Sequence, residues 1–348
     1  MLTRPSTLLL LFGLCAHAAA CSDSGSSSQP ATTDDTLAAA GSTSMLPGSA
    51  GSGSGGEASA SSGFSPDDRS VHPSAGCSNP APGATGAQTL TSGGQEGHYV
   101  ISFPPGYDPN APATVGFVFH GANNTEVSCF GGGNCAGVQM SMQDKAILVY
   151  PKSFGSSWTD GTRDQNVAWF DDLLSYVKTN FCVDEHKVFV MGTSSGAHFS
   201  NILGCRRSDV LRAIAPGAGE RLETSGCEDT RFAALVIHGI DDGSTGSGVP
   251  FAKGEEARDF YAQRNNCSSE TVPPIAQIHA EVRMLRDAAI SATPRGSTAG
   301  IFRCADYQGC DPGLPVRWCE HGEDGYDTTT HGYPVEGGPT TWDFVSAL

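Results

Sequence analysis

The residues with the clearest capacity for chemistry are Gly192-Thr193-Ser194-Ser195-Gly196, a G-x-S-x-G motif. It follows the apolar run Val188-Phe189-Val190-Met191 and precedes a helical stretch over 195–205. A strand, a sharp turn and a helix in that order form a nucleophile elbow, which lifts the central serine hydroxyl out of a sheet. The glycines leave room for a strained turn beside Ser194, and the Ser195 amide falls at the positive end of the following helix, where it can stabilise an oxyanion. A serine at its free pKa is a poor nucleophile and needs a base, commonly a histidine held by a carboxylate. The order in such an arrangement is serine, then acid, then histidine.

Downstream, the apolar run over 233–237 passes into His238-Gly239-Ile240-Asp241-Asp242. An acid just past a strand's C-terminal end lies on the same edge as the elbow, so Asp242 and Asp241 are the candidate acids. Three histidines come later. His279 lies in an expected strand, His321 ends the strand Val316-Arg317-Trp318-Cys319, and His331 sits in a polar loop before the terminal helix. A loop can best carry a base across to Ser194, which favours His331. His198 reads as structural, and His120 and His238, at strand ends before Gly, read as residues that hold loops. His120-Gly121-Ala122 follows an early strand, where a second oxyanion donor belongs. The Ala122 N–H is the first choice, with Gly121 beside it.

These groups need a frame. Thr114-Val115-Gly116-Phe117-Val118-Phe119 and Ala146-Ile147-Leu148-Val149-Tyr150 read as buried strands, as do 188–191, 211–215 and 233–237. Val167, Phe170, Leu173, Leu174 and Val177 recur at helical spacing, which predicts an amphipathic helix over 166–180. Further helices are expected over 195–205, 252–264 and 341–348. Continuous apolar strands separated by helices imply an α/β fold with a mostly parallel central sheet covered on both faces.

The start of the chain reads as an export signal. Arg4 precedes the short apolar run Leu8-Leu9-Leu10-Leu11-Phe12-Gly13-Leu14, and small residues Ala18-Ala19-Ala20 stand before Cys21. That last stretch resembles a bacterial lipobox, which implies a signal over 1–20 and a lipidated Cys21. Residues 21–76 are rich in Ser, Gly, Ala and Thr and lack apolar surface to offset ordering entropy, so they read as a flexible tether. The folded domain is then expected over 77–348. Ten cysteines follow Cys21, and an even count in an exported chain favours disulfides. Cys129/Cys135 and Cys304/Cys310 are close enough to form local staples. The chain has no CxxC pair, which argues against zinc, and Asp241-Asp242-Gly243-Ser244 lacks the distal acid of a calcium loop.

Acidic residues outnumber basic ones 37 to 20, for a net charge of −17. That excludes nucleic acid as a partner and a polybasic attachment to anionic lipid. No run is long enough to span a bilayer, so contact with a membrane is expected only through the lipid on Cys21.

The folded part resembles the secreted feruloyl esterase and polyhydroxybutyrate depolymerase group of α/β-hydrolases. The resemblance rests on several stretches. Pro104-Pro105-Gly106-Tyr107-Asp108 comes before His120-Gly121, and Val149-Tyr150-Pro151 is followed by Trp158. Phe181-Cys182-Val183-Asp184 leads to the elbow and Leu203-Gly204-Cys205, then to His238-Gly239-Ile240-Asp241-Asp242, Trp318-Cys319-Glu320-His321 and Thr330-His331-Gly332-Tyr333-Pro334. It implies Ser194, Asp242 and His331 as catalytic triad, Ala122 and Ser195 as oxyanion donors, and Trp158 and His321 as residues lining the substrate site. The activity it implies is hydrolysis of esters on plant cell-wall polysaccharide by a monomer, outside the cell or at a bacterial surface, with no metal or cofactor. A polyhydroxybutyrate depolymerase and an acetylxylan esterase are the alternatives within the esterases. A peptidase of the same fold usually carries an additional domain, and a non-catalytic surface lipoprotein would be expected to lack a triad position.

Overall fold

The computed structural model describes residues 65–348 apart from 132–134, 136, 228–230 and 326–328. The expected signal, Cys21 and the tether as far as residue 64 lie outside the described residues.

The chain opens with a hairpin of β1 (Gly86–Ser92) and β2 (Gln95–Ser102), turned at Gly93-Gly94, both at positive φ. Next come β3 (Ala113–Phe119), two short helices α1 (Glu126–Phe130) and α2 (Val138–Met142), and β4 (Ile147–Pro151). Helix α3 (Arg163–Asn180) leads into the long β5 (Val183–Thr193) and then α4 (Ser195–Arg206). Strands β6 (Ala213–Gly217) and β7 (Ala233–Gly239) precede α5 (Phe251–Arg264). The last third holds β8 (Thr271–Val272), α6 (Ile275–Ser291), β9 (Phe302–Tyr307), β10 (Val316–His321) and α7 (Gly337–Ser346).

All the described strands join one sheet in the order β1-β2-β4-β3-β5-β6-β7-β10-β9-β8. The central strands from β4 to β10 run parallel. The edges, β1 and β2 on one side and β9 and β8 on the other, are antiparallel. The parallel strands β3, β4, β6 and β7 are apolar along most of their length because helices cover both of their faces. One face packs Phe117, Phe119, Val190, Ile214 and Val236 against α3, α4 and α5 through Phe170, Leu173, Phe199 and Tyr261. The other packs Val118, Leu148, Met191 and Ile237 against α2 and α7 through Met142 and Phe344.

Three expectations are corrected. His279 lies in α6, not in a strand. Its helix shows the apolar side at Ile278 and Val282, a spacing that short windows around His279 hide. Cys304 does not pair with Cys310. It faces Cys319 across the β9–β10 ladder and bonds to it, while Cys310 bonds to Cys267. Cross-strand register decides this pairing, and sequence distance does not. Cys129–Cys135 forms as expected, and Cys77–Cys182 and Cys205–Cys227 complete the set among the described residues. Finally, the packed chain begins before residue 77. Pro73 bridges to Asp184, Ser74 is buried, and Arg212 donates to the Pro66 and Leu348 carbonyls at 2.6 and 2.8 Å. Polar and backbone contacts hold residues 65–76, so a composition poor in apolar residues concealed them.

Candidate active site

The site is assembled from the C-terminal ends of the parallel strands. At the end of β5, Ser194 has φ +53° and ψ −119°, a conformation a non-glycine residue adopts only where its surroundings impose it. The two motif glycines show what imposes it. A Cβ on Gly196 would stand 2.2 Å from the Phe119 carbonyl oxygen, and one on Gly192 2.5 Å from the Gly196 carbonyl carbon. The turn, the helix start and the end of β3 therefore touch backbone to backbone. The Ser194 N–H donates to the Gly217 carbonyl at 3.0 Å, which ties the turn to β6.

His331 Nε2 lies 3.0 Å from Ser194 Oγ. His331 Nδ1 lies 2.9 Å from both oxygens of Asp242. A carboxylate only accepts, so Nδ1–H donates to Asp242 and Nε2 is left to accept the serine proton. Asp242 is almost wholly buried, and its Oδ1 also accepts the Val249 N–H at 2.9 Å. A Cβ on Gly248, at φ +86°, would stand 2.2 Å from that oxygen, so the loop after β7 closes over the carboxylate only with glycine there. Asp241, the neighbouring candidate, points elsewhere. It pairs with Arg286 Nε at 2.5 Å and with Arg283 at 3.5 Å, and its N–H donates to Thr330 Oγ1. That last bond also holds the loop bearing His331 against the end of β7.

The loop is fixed from its far side by Glu323, whose two oxygens accept the Gly300 and Val335 N–H groups at 2.9 and 3.1 Å. Burial and a hydrogen bond shared with Glu336 push the Glu323 carboxyl up to about 7. No sequence pattern marked this anchor.

The end of β3 runs alongside the elbow: a Cβ on Gly121 would sit 3.8 Å from Ser194 Cβ. His120 is fully buried and its burial keeps it neutral, with Nδ1–H donating to the Gly121 carbonyl at 2.7 Å and Nε2 accepting the Ser153 N–H at 3.3 Å. It holds the Gly121-Ala122 turn in place. Ser195 opens α4, so its N–H has no partner within the helix. Its hydroxyl accepts the Trp158 N–H at 2.9 Å.

Two sequence-selected residues lie away from any surface that a substrate could touch. Trp158 is 0% exposed, stacked on Phe199, with its indole N–H donating to the His120 carbonyl at 2.9 Å. It supports the elbow and the β3 turn from beneath. His321 is 1% exposed at the end of β10, paired in register with Gly239. Burial and the neighbouring His238 hold its imidazole down to about 3, so it is neutral, and neither ring nitrogen bonds to Ser194 or Asp242. Two residues before His321, Cys319 is bonded to Cys304 and keeps that strand end in the sheet. His279 is occupied with Glu320 at 2.8 Å, and Glu320 also accepts the Trp318 indole N–H. His238 is buried beside the acid, 3.5 Å from Asp242 Oδ2, with its Nε2 on the Val249 carbonyl at 2.9 Å. Burial lowers its pKa as well, which leaves the Asp242 charge to His331.

No family model matches the chain. Among curated proteins it is 27% identical to feruloyl esterase D of Neurospora crassa over 291 residues, covering 79% of this chain and 90% of that one. It is 26% identical to poly(3-hydroxyalkanoate) depolymerase C of Paucimonas lemoignei over 259 residues, covering 68% of this chain and 58% of that one. Among solved structures, acetyl xylan esterase from Aspergillus awamori superposes with a TM-score of 0.51 at 14% identity, over 76% of this chain and all of that one. The chain thus has an α/β-hydrolase fold and resembles the feruloyl esterase and polyhydroxyalkanoate depolymerase group.

Proposed function

We propose that the protein is a serine carboxylic ester hydrolase that acts on esters of plant cell-wall polysaccharide, as feruloyl esterases do. The observation that carries this reading is the unbroken line Asp242–His331–Ser194, at 2.9 and 3.0 Å, on a strained strand-to-helix turn. Ser194 attacks the ester carbonyl while His331 Nε2 takes its proton. Asp242 holds the ring in the tautomer that leaves Nε2 free and stabilises the imidazolium once formed. The Ser195 and Ala122 N–H groups hold the oxyanion, and each such donor is worth about 3–4 kcal/mol in other hydrolases. His331 then protonates the leaving alcohol, and water, deprotonated by His331, frees the acid from Ser194.

The substrate class rests on the relatives, with polyester as the second reading because of the depolymerase among them. Paired disulfides and the amino-terminal segment support export, and the Ala18-Ala19-Ala20-Cys21 stretch supports a lipid on Cys21. Release of acid from feruloylated arabinoxylan, acetylated xylan and a polyhydroxybutyrate film, with a peptide anilide as control, tests the reading. The expected result is fastest turnover on feruloylated arabinoxylan. Clearing of the film with no release from either xylan would move the assignment to the depolymerases, and cleavage of the anilide alone would overturn it.

A further inference from the structure

Far from Ser194, at the opposite end of β5, three side chains with metal-ligating atoms converge. Asp68 and His72 come from the chain that precedes the hairpin, and His186 comes from the start of β5. The rise of a strand puts His186 roughly 25 Å from Ser194, so this cluster has no part in the ester chemistry. We propose that Asp68, His72 and His186 form a binding site for a divalent transition ion of the zinc type, which fastens residues 65–73 to the domain.

The donor set suits such an ion. Two imidazoles and one carboxylate are ligands that zinc accepts with a water or hydroxyl in the fourth place. One ligating atom from each residue lies within 4.8 Å of the others. Asp68 Oδ2 is 2.8 Å from His72 Nε2 and 3.7 Å from His186 Nδ1. A tetrahedral zinc site with bonds of about 2.0–2.1 Å has ligand-to-ligand edges of roughly 3.3 Å, so these separations bracket the required value. Shifts of a few tenths of an ångström would bring both separations to it, and a turn of one imidazole ring would aim both nitrogens at the ion. Ser70 Oγ, 2.8 Å from His72 Nε2 and 2.6 Å from Asp68 Oδ1, stands where it could orient a water in the fourth position.

The two histidine backbones are held before any ion arrives. One buried carboxylate oxygen, Asp184 Oδ1, accepts both the His72 N–H and the His186 N–H, each at 3.1 Å. The Glu185 N–H returns a bond to the His72 carbonyl at 2.8 Å. The imidazole rings stack with centroids 3.5 Å apart and planes 23° from parallel, so an ion shared by both requires one ring to turn about its Cβ–Cγ bond. Arg212 is turned to the carbonyls of Pro66, Asp68 and Leu348. The absence of a CxxC pair made zinc look unfavourable, but this site uses no cysteine, and only the fold brings residue 186 to residues 68 and 72.

The test uses the untagged chain from residue 22 onward, stripped with a chelator and titrated calorimetrically with zinc chloride. Melting and ester turnover are measured in parallel. One zinc per chain is expected, with a higher melting temperature that a chelator reverses and with unchanged turnover. Asp68→Asn and His72→Ala should each weaken zinc binding about tenfold or more. Both sit at the surface, so they should fold and keep full esterase activity. Absence of saturable zinc binding would overturn the proposal. So would a zinc affinity that neither substitution changes.

Discussion

At the scale of single residues, the choice of general base has two contenders, His331 and His321, and the structure gives them different surroundings. His331 spans Ser194 and Asp242. His321 is sealed at the end of β10 and stays neutral. His331→Ala should therefore collapse kcat with little change in KM, leaving a residual rate about 10³–10⁴-fold above water. His321→Ala should keep kcat within a few-fold and instead lower stability by about 1–3 kcal/mol, as truncation of a buried side chain does. Steady-state kinetics and thermal melting separate the two, and a dead but stable His321→Ala would reverse the assignment. Much of this was legible in the sequence. The glycines around Ser194 have a steric reason that the motif already implies, and chain order narrows the acid to two neighbours. The family resemblance selects Asp242 of the two, and in the structure Asp242 faces His331 while Asp241 pairs with Arg286. Trp158 and His321 were misplaced because an aromatic near a site in sequence carries no sign of which way it faces.

At the scale of elements, the loop between β10 and α7 carries the base and must be held at both ends. Thr330 holds one end to Asp241, and Glu323 holds the other to Gly300 and Val335. Glu323 keeps its proton in the folded protein up to about 7, against an ordinary value of 4.5. Between those values the folded state binds more protons than the unfolded chain, so this carboxyl favours folding below that window and loses its contribution as pH rises through it. Glu336→Gln removes the second carboxyl and should flatten that loss. Melting temperatures from pH 4.5 to pH 7.5 are the measurement. An equal decline in parent and variant would show that the carboxyl pair does not act on the loop. Sequence periodicity revealed the parallel strands and α3 because each is uniformly apolar or regularly striped. It did not reveal the β1–β2 hairpin, whose first strand is mostly exposed, nor α6, which has an apolar side on a largely polar helix.

At the scale of the whole molecule, a disulfide-linked α/β domain follows a long Ser/Gly-rich segment and, in our reading, a lipidated Cys21. Cys21→Ser should move the protein from the membrane to the soluble fraction of a bacterial host with its ester turnover unchanged. Equal membrane retention of both forms would refute the anchor. Pairings set by strand register, such as Cys304–Cys319, could not be read from spacing, because spacing does not show which residues face each other across a sheet. The central claim is that Ser194 is the nucleophile of an esterase acting on cell-wall esters, and the most direct measurement is the rate of ferulate release from feruloylated arabinoxylan by the parent and by Ser194→Ala. The account predicts steady release by the parent and a fall of about 10⁴-fold or more in a variant with the same melting temperature. A folded Ser194→Ala protein that keeps its rate within about tenfold of the parent would contradict it.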